Sequence, residues 1–323
     1  MAPSSCVRAV PCSKRHIGFE FFIATPAHAV ASIRTSNNNL TEPTMSTSLS
    51  IGEFEITTVQ DHQGMDRNPS EIYSEVPAAA WDAYRDFALD PDGFYRSQWR
   101  GHLIRSSGGG PSVLVDTGMG PGPHDHTGQP GELIDSLNAL GVSPEDIEIV
   151  VITHTHGDHI GWNVSYDGDQ ARATFPNARY LIARADWDHY SLPENSNEAF
   201  EHSVKPLEAL GVLELVSGVH EILPGVSTLP TNGHTPGHQC VLVESNDQTG
   251  VITGDLFHNV AQISEQHWCP VFDWDTTIST RSRRELLGRA ERENWTVFSG
   301  HLGIDKSIGK VVRSGEKASW RAL

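Results

Sequence analysis

Residues 147–153 (IEIVVIT) form a nearly continuous apolar run, and four side chains able to bind metal follow it directly. A run of this kind is typical of a strand buried on both faces of a parallel sheet. The four side chains are those of His154, His156, Asp158 and His159. In an extended chain His154 and His156, two residues apart, project to the same side. We expect the glycine after them to let the backbone turn sharply, so that Asp158 and His159 point back to the same space. Imidazole and carboxylate groups together suit zinc and similar transition metals, so the sequence predicts a metal site at the end of this strand.

Three further residues of ligand type stand in the same relation to predicted strands. His234, Asp255 and His301 each come shortly after an apolar, strand-like segment, and each lies beside a glycine. Loops at strand ends are where a rigid scaffold positions functional groups. For a single His-x-His pair, a polar loop with solvated histidines would be the better interpretation. The repeated arrangement instead favours one shared metal site.

The chain beyond residue 50 alternates strand-like and helix-like segments. We predict strands at 51–59, 101–105, 112–116, 147–153, 179–183, 213–216, 225–231, 239–244, 250–253 and 296–299. We predict helices at 131–140, 198–210 and 280–293. Strands in two groups with helices between them indicate a layered α/β fold.

The set of motifs resembles that of the metallo-β-lactamase superfamily over about residues 50–305. The residues that carry the resemblance are His154-x-His156-x-Asp158-His159, then His234, Asp255 and His301, with Asp116 in the segment VDTG at 115–118. The resemblance implies a four-layer αββα sandwich of the metallo-β-lactamase type, with the metals at one edge. It also implies two three-residue metal sites joined by a bridging aspartate: His154, His156 and His234; Asp158, His159 and His301; and Asp255 between them. Asp116 would fix the motif loop rather than bind metal, with a plain turn residue as the alternative.

A hydrolase with two divalent metal ions, zinc being the expected metal, follows from this resemblance. Two cations about 3.5–4 Å apart share a hydroxide near neutral pH, and that bridging hydroxide would attack the substrate. No Gly-x-Ser-x-Gly nucleophile motif competes. Asp158 is a candidate catalytic residue that accepts and returns the proton. The segments around His234 and His301 look most like the branch that contains acyl-homoserine lactonases and methyl-parathion-hydrolase-like enzymes. We therefore expect a small-molecule ester as the substrate, with a lactone as the leading candidate.

Position 258 bears on the choice of substrate. Lactonases of this branch commonly carry a tyrosine three residues after the bridging aspartate, and here that position is His258. As a second candidate catalytic residue, His258 either donates a similar hydrogen bond to the substrate or lines the pocket. Residues 267–274 (HWCPVFDW) supply aromatic side chains that form either an apolar wall for the substrate or ordinary core. We favour a structural role for His238 over a hydrogen bond to a metal ligand, and a surface loop for residues 120–127.

Charge and composition exclude several classes of partner. The formal net charge of −18 repels phosphate backbones and no basic groove offsets it, so we expect no nucleic-acid partner. No stretch approaches the roughly 18 apolar residues of a membrane span, so we expect no membrane partner and a soluble, cytoplasmic protein. Four scattered cysteines without a CxxC pair predict neither a disulfide framework nor cysteine-ligated zinc. The sequence leaves a homodimer open.

Residues 1–44 differ in composition from the rest of the chain. They are rich in Ser, Pro and Asn, and strand-like alternation begins only after Met45. A secretory signal, a transit peptide and a translated leader upstream of Met45 are the three interpretations, and we favour the third. We predict that 1–44 is disordered and that 45–323 is the hydrolase domain.

Two alternatives to a lactonase stay open. The first is a hydrolase of organophosphate triesters or aryl esters, which would use the same metal centre. The second is a catalytically silent, metal-binding relative. The complete set of seven ligand-type residues argues against the silent relative, because such a protein has no need of all seven.

Overall fold

The computed structural model describes residues 47–124 and 127–323. Its strands are β1 (Ser48–Ile51), β2 (Phe54–Arg67), β3 (Tyr95–Ser106), β4 (Val113–Val115), β5 (Ile149–Val151), β6 (Val164–Asp167), β7 (Gln170–Ala173), β8 (Arg179–Ala183), β9 (Leu213–Val216), β10 (His220–Leu223), β11 (Val226–Pro230), β12 (Gln239–Ser245), β13 (Gln248–Ile252), β14 (Thr296–Phe298), β15 (Ile308–Ser314) and β16 (Lys317–Ala322). Its α-helices are α1 (Pro69–Ile72), α2 (Arg85–Ala88), α3 (Leu133–Ala139), α4 (Gly157–Ile160), α5 (Arg184–Tyr190), α6 (Glu198–Ser203), α7 (Pro206–Ala209), α8 (Ala261–Ser264) and α9 (Thr276–Arg292). Short 3-10 turns lie at Ala78–Ala83, Pro144–Asp146 and Ile304–Lys306.

The strands form two seven-stranded sheets and one hairpin. The first sheet has the order β1-β2-β3-β4-β5-β8-β9, and its last four strands run parallel. The second sheet has the order β10-β11-β12-β13-β14-β15-β16, in which only β13 and β14 are parallel neighbours. Strands β6 and β7 pair as a separate hairpin. Parallel neighbours end at the same edge of a sheet, so the loops after β4 and β5, and those after β13 and β14, emerge side by side.

Three apolar clusters show how these elements are layered. The middle cluster joins the facing sides of the two sheets and includes Val151 of the first sheet and Ile252 of the second, both almost fully buried. A second cluster packs the outer face of the first sheet against helices α3, α6 and α7. A third packs the outer face of the second sheet against α8 and α9. Helix, sheet, sheet and helix therefore form four layers, which confirms the predicted αββα sandwich.

Most predicted strands are present, and the differences have local causes. The strand predicted at 51–59 is interrupted at Gly52, whose φ of +57° makes the turn between β1 and β2. The helix predicted at 198–210 is two helices, because Pro206 lacks the backbone N–H that would continue α6 and instead begins α7. The helix predicted at 280–293 begins earlier, at Thr276. There the Asp275 carboxylate accepts hydrogen bonds from the Thr277 and Ile278 N–H groups, a cap that contributes about 1 kcal/mol.

The prediction for residues 1–44 lies outside the described residues. Within the part of the chain that is described, none of the helices is both long and apolar enough to cross a membrane.

Candidate metal centre

The seven predicted ligands come together because each follows a strand of the sandwich. His154, Asp255 and His301 are each the third residue beyond their strand, after β5, β13 and β14. His234 follows β11 by four residues. Gly254 makes room for this arrangement: its φ is +48°, and an added Cβ would lie 2.8 Å from the Thr153 side chain. The ligand-type residues in the loops of both sheets thus lie together at one edge of the sandwich.

One group of ligand atoms consists of three imidazole nitrogens and a carboxylate oxygen. The Nδ1 atom of His156 lies 3.1 Å from Nε2 of His154 and 2.9 Å from Nε2 of His234. Oδ2 of Asp255 lies 3.1 Å from Nε2 of His234 and 3.6 Å from Nε2 of His154. These four residues offer ligand atoms that all lie within 4.8 Å of one another.

A second group lies on the other side of the same aspartate. Oδ1 of Asp255 is 3.1 Å from Nε2 of His159 and 2.8 Å from Nε2 of His301. Oδ2 of Asp158 is 3.7 Å from each of those two nitrogens. Asp255 therefore presents one oxygen to each group.

The unpaired atoms at this centre fit a cation. Nε2 of His159, Nε2 of His301 and Oδ1 of Asp255 are buried, and none of them makes a hydrogen bond within the described residues. Lone pairs that converge without donors are costly in a protein interior, and divalent metals remove that cost.

Neighbouring acceptors fix how the ligand rings are turned. His159 donates from Nδ1 to Oδ2 of Asp116 (2.8 Å), and His234 donates from Nδ1 to Oδ1 of Asp273 (2.9 Å). His301 donates from Nδ1 to the Gln98 carbonyl oxygen (2.9 Å). A proton on Nδ1 leaves Nε2 with its lone pair directed at the centre, which is the common arrangement for a metal-binding histidine.

Asp116 also holds the first ligand loop. Its carboxylate accepts hydrogen bonds from the N–H and hydroxyl groups of Thr153, at 2.8 and 2.9 Å. Its φ is +62°, an unusual backbone conformation that places the side chain beneath the loop. The contacts of Asp116 are those of a residue that fixes the loop, and its role toward a metal stays a prediction.

His238 contacts the backbone of a ligand rather than the ligand atoms. Burial lowers the pKa of His238 to about 3, so its ring is neutral. Its Nε2 accepts from the Asp255 N–H (3.0 Å), and its Nδ1 donates to the Thr231 carbonyl oxygen (3.1 Å). This structural contact supports the residue that both ligand groups share.

Asp158 lies on a short helix, and the expectation of a sharp glycine turn before it is wrong. Gly157 is the first residue of α4 and has no positive φ. The helical turn, rather than glycine flexibility, brings Asp158 and His159 back toward the strand end. Oδ2 of Asp158 accepts a hydrogen bond from the Trp99 indole at 2.6 Å.

His258 is closer to the centre than a residue that only lines a pocket. Its Nε2 lies 2.9 Å from Oδ2 of Asp255, and its ring stacks on His301 with centroids 5.1 Å apart. Asp255, His258 and His301 make a third group of atoms able to hold a metal. The predicted catalytic role of His258 is not decided by these contacts.

Of the aromatic residues in the segment 267–274, one belongs to the core and another lines the candidate site. Trp268 is core: it is 5% exposed and packs on Trp81, with centroids 4.7 Å apart. Phe272 is 38% exposed, and its ring contacts His258 (4.9 Å) and His234 (5.8 Å). Trp274 is exposed. Of the aromatic residues in this segment, Phe272 is the one that lines the cavity over the candidate site.

Two cavities meet at the centre. A small one of about 140 Å³ lies over the ligand cluster and is also lined by Arg67, Tyr95 and Phe272. A groove of about 890 Å³ adjoins it, and Arg67, Trp99 and Asp158 line both. Pro121 and His124, from the predicted surface loop 120–127, form part of the groove wall; residues 125 and 126 of that loop lie outside the described residues.

Sequence patterns missed several residues that shape this centre. Asp273, Trp99 and Arg67 lie far along the chain from the motifs they contact or face, and nothing in their local sequence marks them. Asp186 is the clearest case: fully buried, it accepts hydrogen bonds from the Thr155 N–H (3.1 Å) and the Gly237 N–H (2.6 Å), and so joins two ligand loops.

Known proteins are similar to this chain in sequence and in fold. The family model of the metallo-beta-lactamase superfamily matches residues 102–301. An N-acyl homoserine lactonase from Bacillus sp is 26% identical over 205 residues, which is 58% of this chain and 76% of that protein. Among solved structures, AidC, a dizinc quorum-quenching lactonase in complex with a product, superposes with a TM-score of 0.72 at 20% identity, covering 86% of this chain and 97% of that one. The hydrolase AbOPH superposes with a TM-score of 0.73 at the same identity and coverage.

Proposed function

We propose that this chain, which belongs to the metallo-beta-lactamase superfamily, is a metal-dependent hydrolase that opens the ester bond of a lactone. The proposal depends most on one observation. The two oxygens of Asp255 face separate groups of ligand atoms, within about 3 Å of His234 on one side and of His159 and His301 on the other.

The donor set suits two divalent cations, and we propose zinc. His154, His156 and His234 would hold one, Asp158, His159 and His301 the other, with Asp255 between them. When bound, the pair would supply Lewis acidity and water made acidic enough to lose a proton near neutral pH. We also propose that residues 45–323 constitute the hydrolase domain. A homodimer and a cytoplasmic location stay predictions from the sequence.

The side chains around the cavity indicate which groups would transfer the proton and which would exclude water during ester hydrolysis. The Asp158 carboxylate borders the cavity and would take up the proton that leaves the attacking water, then return it to the departing alcohol oxygen. The Trp99 N–H holds that carboxylate in place. Phe272 would cover the substrate from the side of His258 and exclude water.

A lactone is the favoured ester because of the relatives. Curated relatives at 24–28% identity are named N-acyl homoserine lactonases, from Bacillus and Rhizobium radiobacter among others. No nucleophilic serine or cysteine is required, since the ligand set itself accounts for the chemistry.

Metal analysis and turnover test the proposal together. We expect about two equivalents of zinc or another divalent metal in the purified protein, and hydrolysis of N-hexanoyl homoserine lactone that chelator abolishes. His156→Ala should lose metal and most activity, whereas His267→Ala, which alters a histidine that is 61% exposed, should lose neither. Less than one equivalent of metal would refute the metal centre. Turnover of phosphotriesters or aryl esters without lactone turnover would replace the lactone with those substrates.

A further inference from the structure

We propose that Arg67 recognises the substrate by donating hydrogen bonds to an amide carbonyl oxygen beside the lactone ring, which makes the enzyme selective for N-acylated lactones. The inference rests on the proposed lactone hydrolysis and assigns a specificity-determining residue to it.

Arg67 stands where the two cavities join. It is the last residue of β2 and pairs in register with Tyr95 on β3. It lines the small cavity over the ligand cluster and also the large groove beside it. Its guanidinium carbon lies 5.8 Å from the centroid of the Trp99 ring, whose N–H is bonded to Asp158. Arg67 is one of three residues, with Trp99 and Asp158, that border both cavities, so a molecule that reaches from the cluster into the groove passes beside these side chains.

The guanidinium of Arg67 has no carboxylate partner among the described residues, unlike those of Arg96 and Arg105 on the neighbouring strand β3. Arg96 pairs with Asp66 at 2.9 Å, and Arg105 pairs with Glu55 at 3.4 Å. Arg67 is half-buried, so part of its hydration is already lost. Five N–H donors in a planar fork are thus available to an acceptor in the cavity.

The acceptor that fits is a neutral carbonyl oxygen. Asp158 and Glu198 also line the groove, and the chain carries a net charge of −18, so a substituent with its own carboxylate would be repelled. Beyond Arg67 the groove offers the apolar side chains of Met119, Pro121 and Val164. A substituent with an amide carbonyl and an acyl chain fits these residues: the carbonyl oxygen would accept from Arg67, and the acyl chain would pack on the apolar side chains of the groove.

Two lactones distinguish recognition of the substituent from effects on the centre. N-hexanoyl homoserine lactone carries the amide, and γ-butyrolactone lacks it. Arg67→Met should lower kcat/KM for the acylated lactone about 10- to 100-fold, the usual effect of losing a hydrogen bond to a charged group, and change that for γ-butyrolactone less than about threefold. Arg67→Lys should fall between the wild type and Arg67→Met. The control Arg105→Met, on the same strand pair and 40% exposed, should match the wild type on both substrates.

A binding measurement gives a readout apart from turnover. By calorimetry on the metal-loaded protein, Arg67→Met should bind the product N-hexanoyl-L-homoserine about 10-fold more weakly or worse than the wild type. An equal loss of kcat/KM on both lactones, or unchanged product binding, would overturn the assignment of Arg67 while leaving lactone hydrolysis intact. A wild type that hydrolyses neither lactone would instead refute the proposed function, and this inference with it.

Discussion

Replacing Asp186 with alanine should destabilise both the fold and the metal centre. The carboxylate of this residue on α5 is fully buried and joins the loop of His154 and His156 to the loop of His234. It accepts from the Thr155 N–H at 3.1 Å, the Thr235 hydroxyl at 2.9 Å and the Gly237 N–H at 2.6 Å. Alanine leaves all three donors without their acceptor.

The size of the effect follows from those three contacts. A buried donor that loses its acceptor costs about 1–3 kcal/mol. The hydroxyl can rotate to a new partner but the two backbone N–H groups cannot, so we expect Asp186→Ala to lower the free energy of unfolding by about 3–5 kcal/mol. That is a large part of the roughly 5–15 kcal/mol available to a typical domain. Since the two loops carry three proposed ligands, metal affinity should also fall about 10- to 100-fold.

Urea denaturation followed by tryptophan fluorescence measures the stability, and competition with a chromogenic chelator measures the metal affinity. Asp186→Asn keeps the shape and one acceptor oxygen, so it should lose about half as much stability. Asp188→Ala, at an exposed position of the same helix, is the matched control and should lie within about 0.5 kcal/mol of the wild type. If Asp186→Ala matched that control in both measurements, the carboxylate would not be what holds the loops together.

Three further substitutions test separate contacts. Asp61 lies on β2, and its buried carboxylate accepts hydrogen bonds from the Met119 and Leu133 N–H groups. Burial raises its pKa to about 6 from 3.8, so its protonation stabilises the folded state at low pH and this contribution is lost as pH rises through 6. In urea, the excess free energy of unfolding of the wild type over Asp61→Asn should be about 1.4 kcal/mol larger at pH 5 than at pH 7.5, and an equal excess at both pH values would contradict this. Asp273→Asn weakens the hydrogen bond that turns His234, so chelator competition should show metal affinity about 10- to 100-fold lower, and unchanged affinity would show that the bond is dispensable. Trp99→Phe removes the hydrogen bond to the Asp158 carboxylate, so kcat for the lactone should fall about tenfold in protein saturated with metal, and an unchanged kcat would show that this bond is dispensable.

Sequence predicted the parts of this fold that local pattern determines. The strands predicted at 179–183 and 213–216 have those bounds in the structure, because short apolar runs between turn residues define parallel strands well. The ligand-type residues are equally visible in the sequence, since each comes within a few residues of a predicted strand or of another ligand. Their convergence also follows from topology, because parallel neighbours end at one edge.

The remaining features depend on contacts between distant residues. Trp99 and Asp158 are 59 positions apart, and Asp273 is 39 positions from His234, so no local pattern joins them. The C-terminal pair β15 and β16 was not predicted, because its strands alternate polar and apolar residues irregularly at the edge of a sheet. Polar residues that act through tertiary contacts are therefore the part of a site that cannot be predicted from the pattern of a single sequence.

His258 contacts both a proposed metal ligand, Asp255, and a residue of the cavity wall, Phe272. Because its Nε2 lies 2.9 Å from the Asp255 oxygen that also faces His234, a change at position 258 alters the surroundings of the residue shared by both ligand groups. The same ring contacts Phe272, an aromatic residue of the small cavity, and borders a third cavity of about 240 Å³ on the side of Leu302. Substitutions here would therefore change metal affinity and pocket shape together. Arg67, by contrast, lines both cavities and belongs to none of the three groups of ligand atoms, so we expect its substitution to change selectivity while metal content is unchanged.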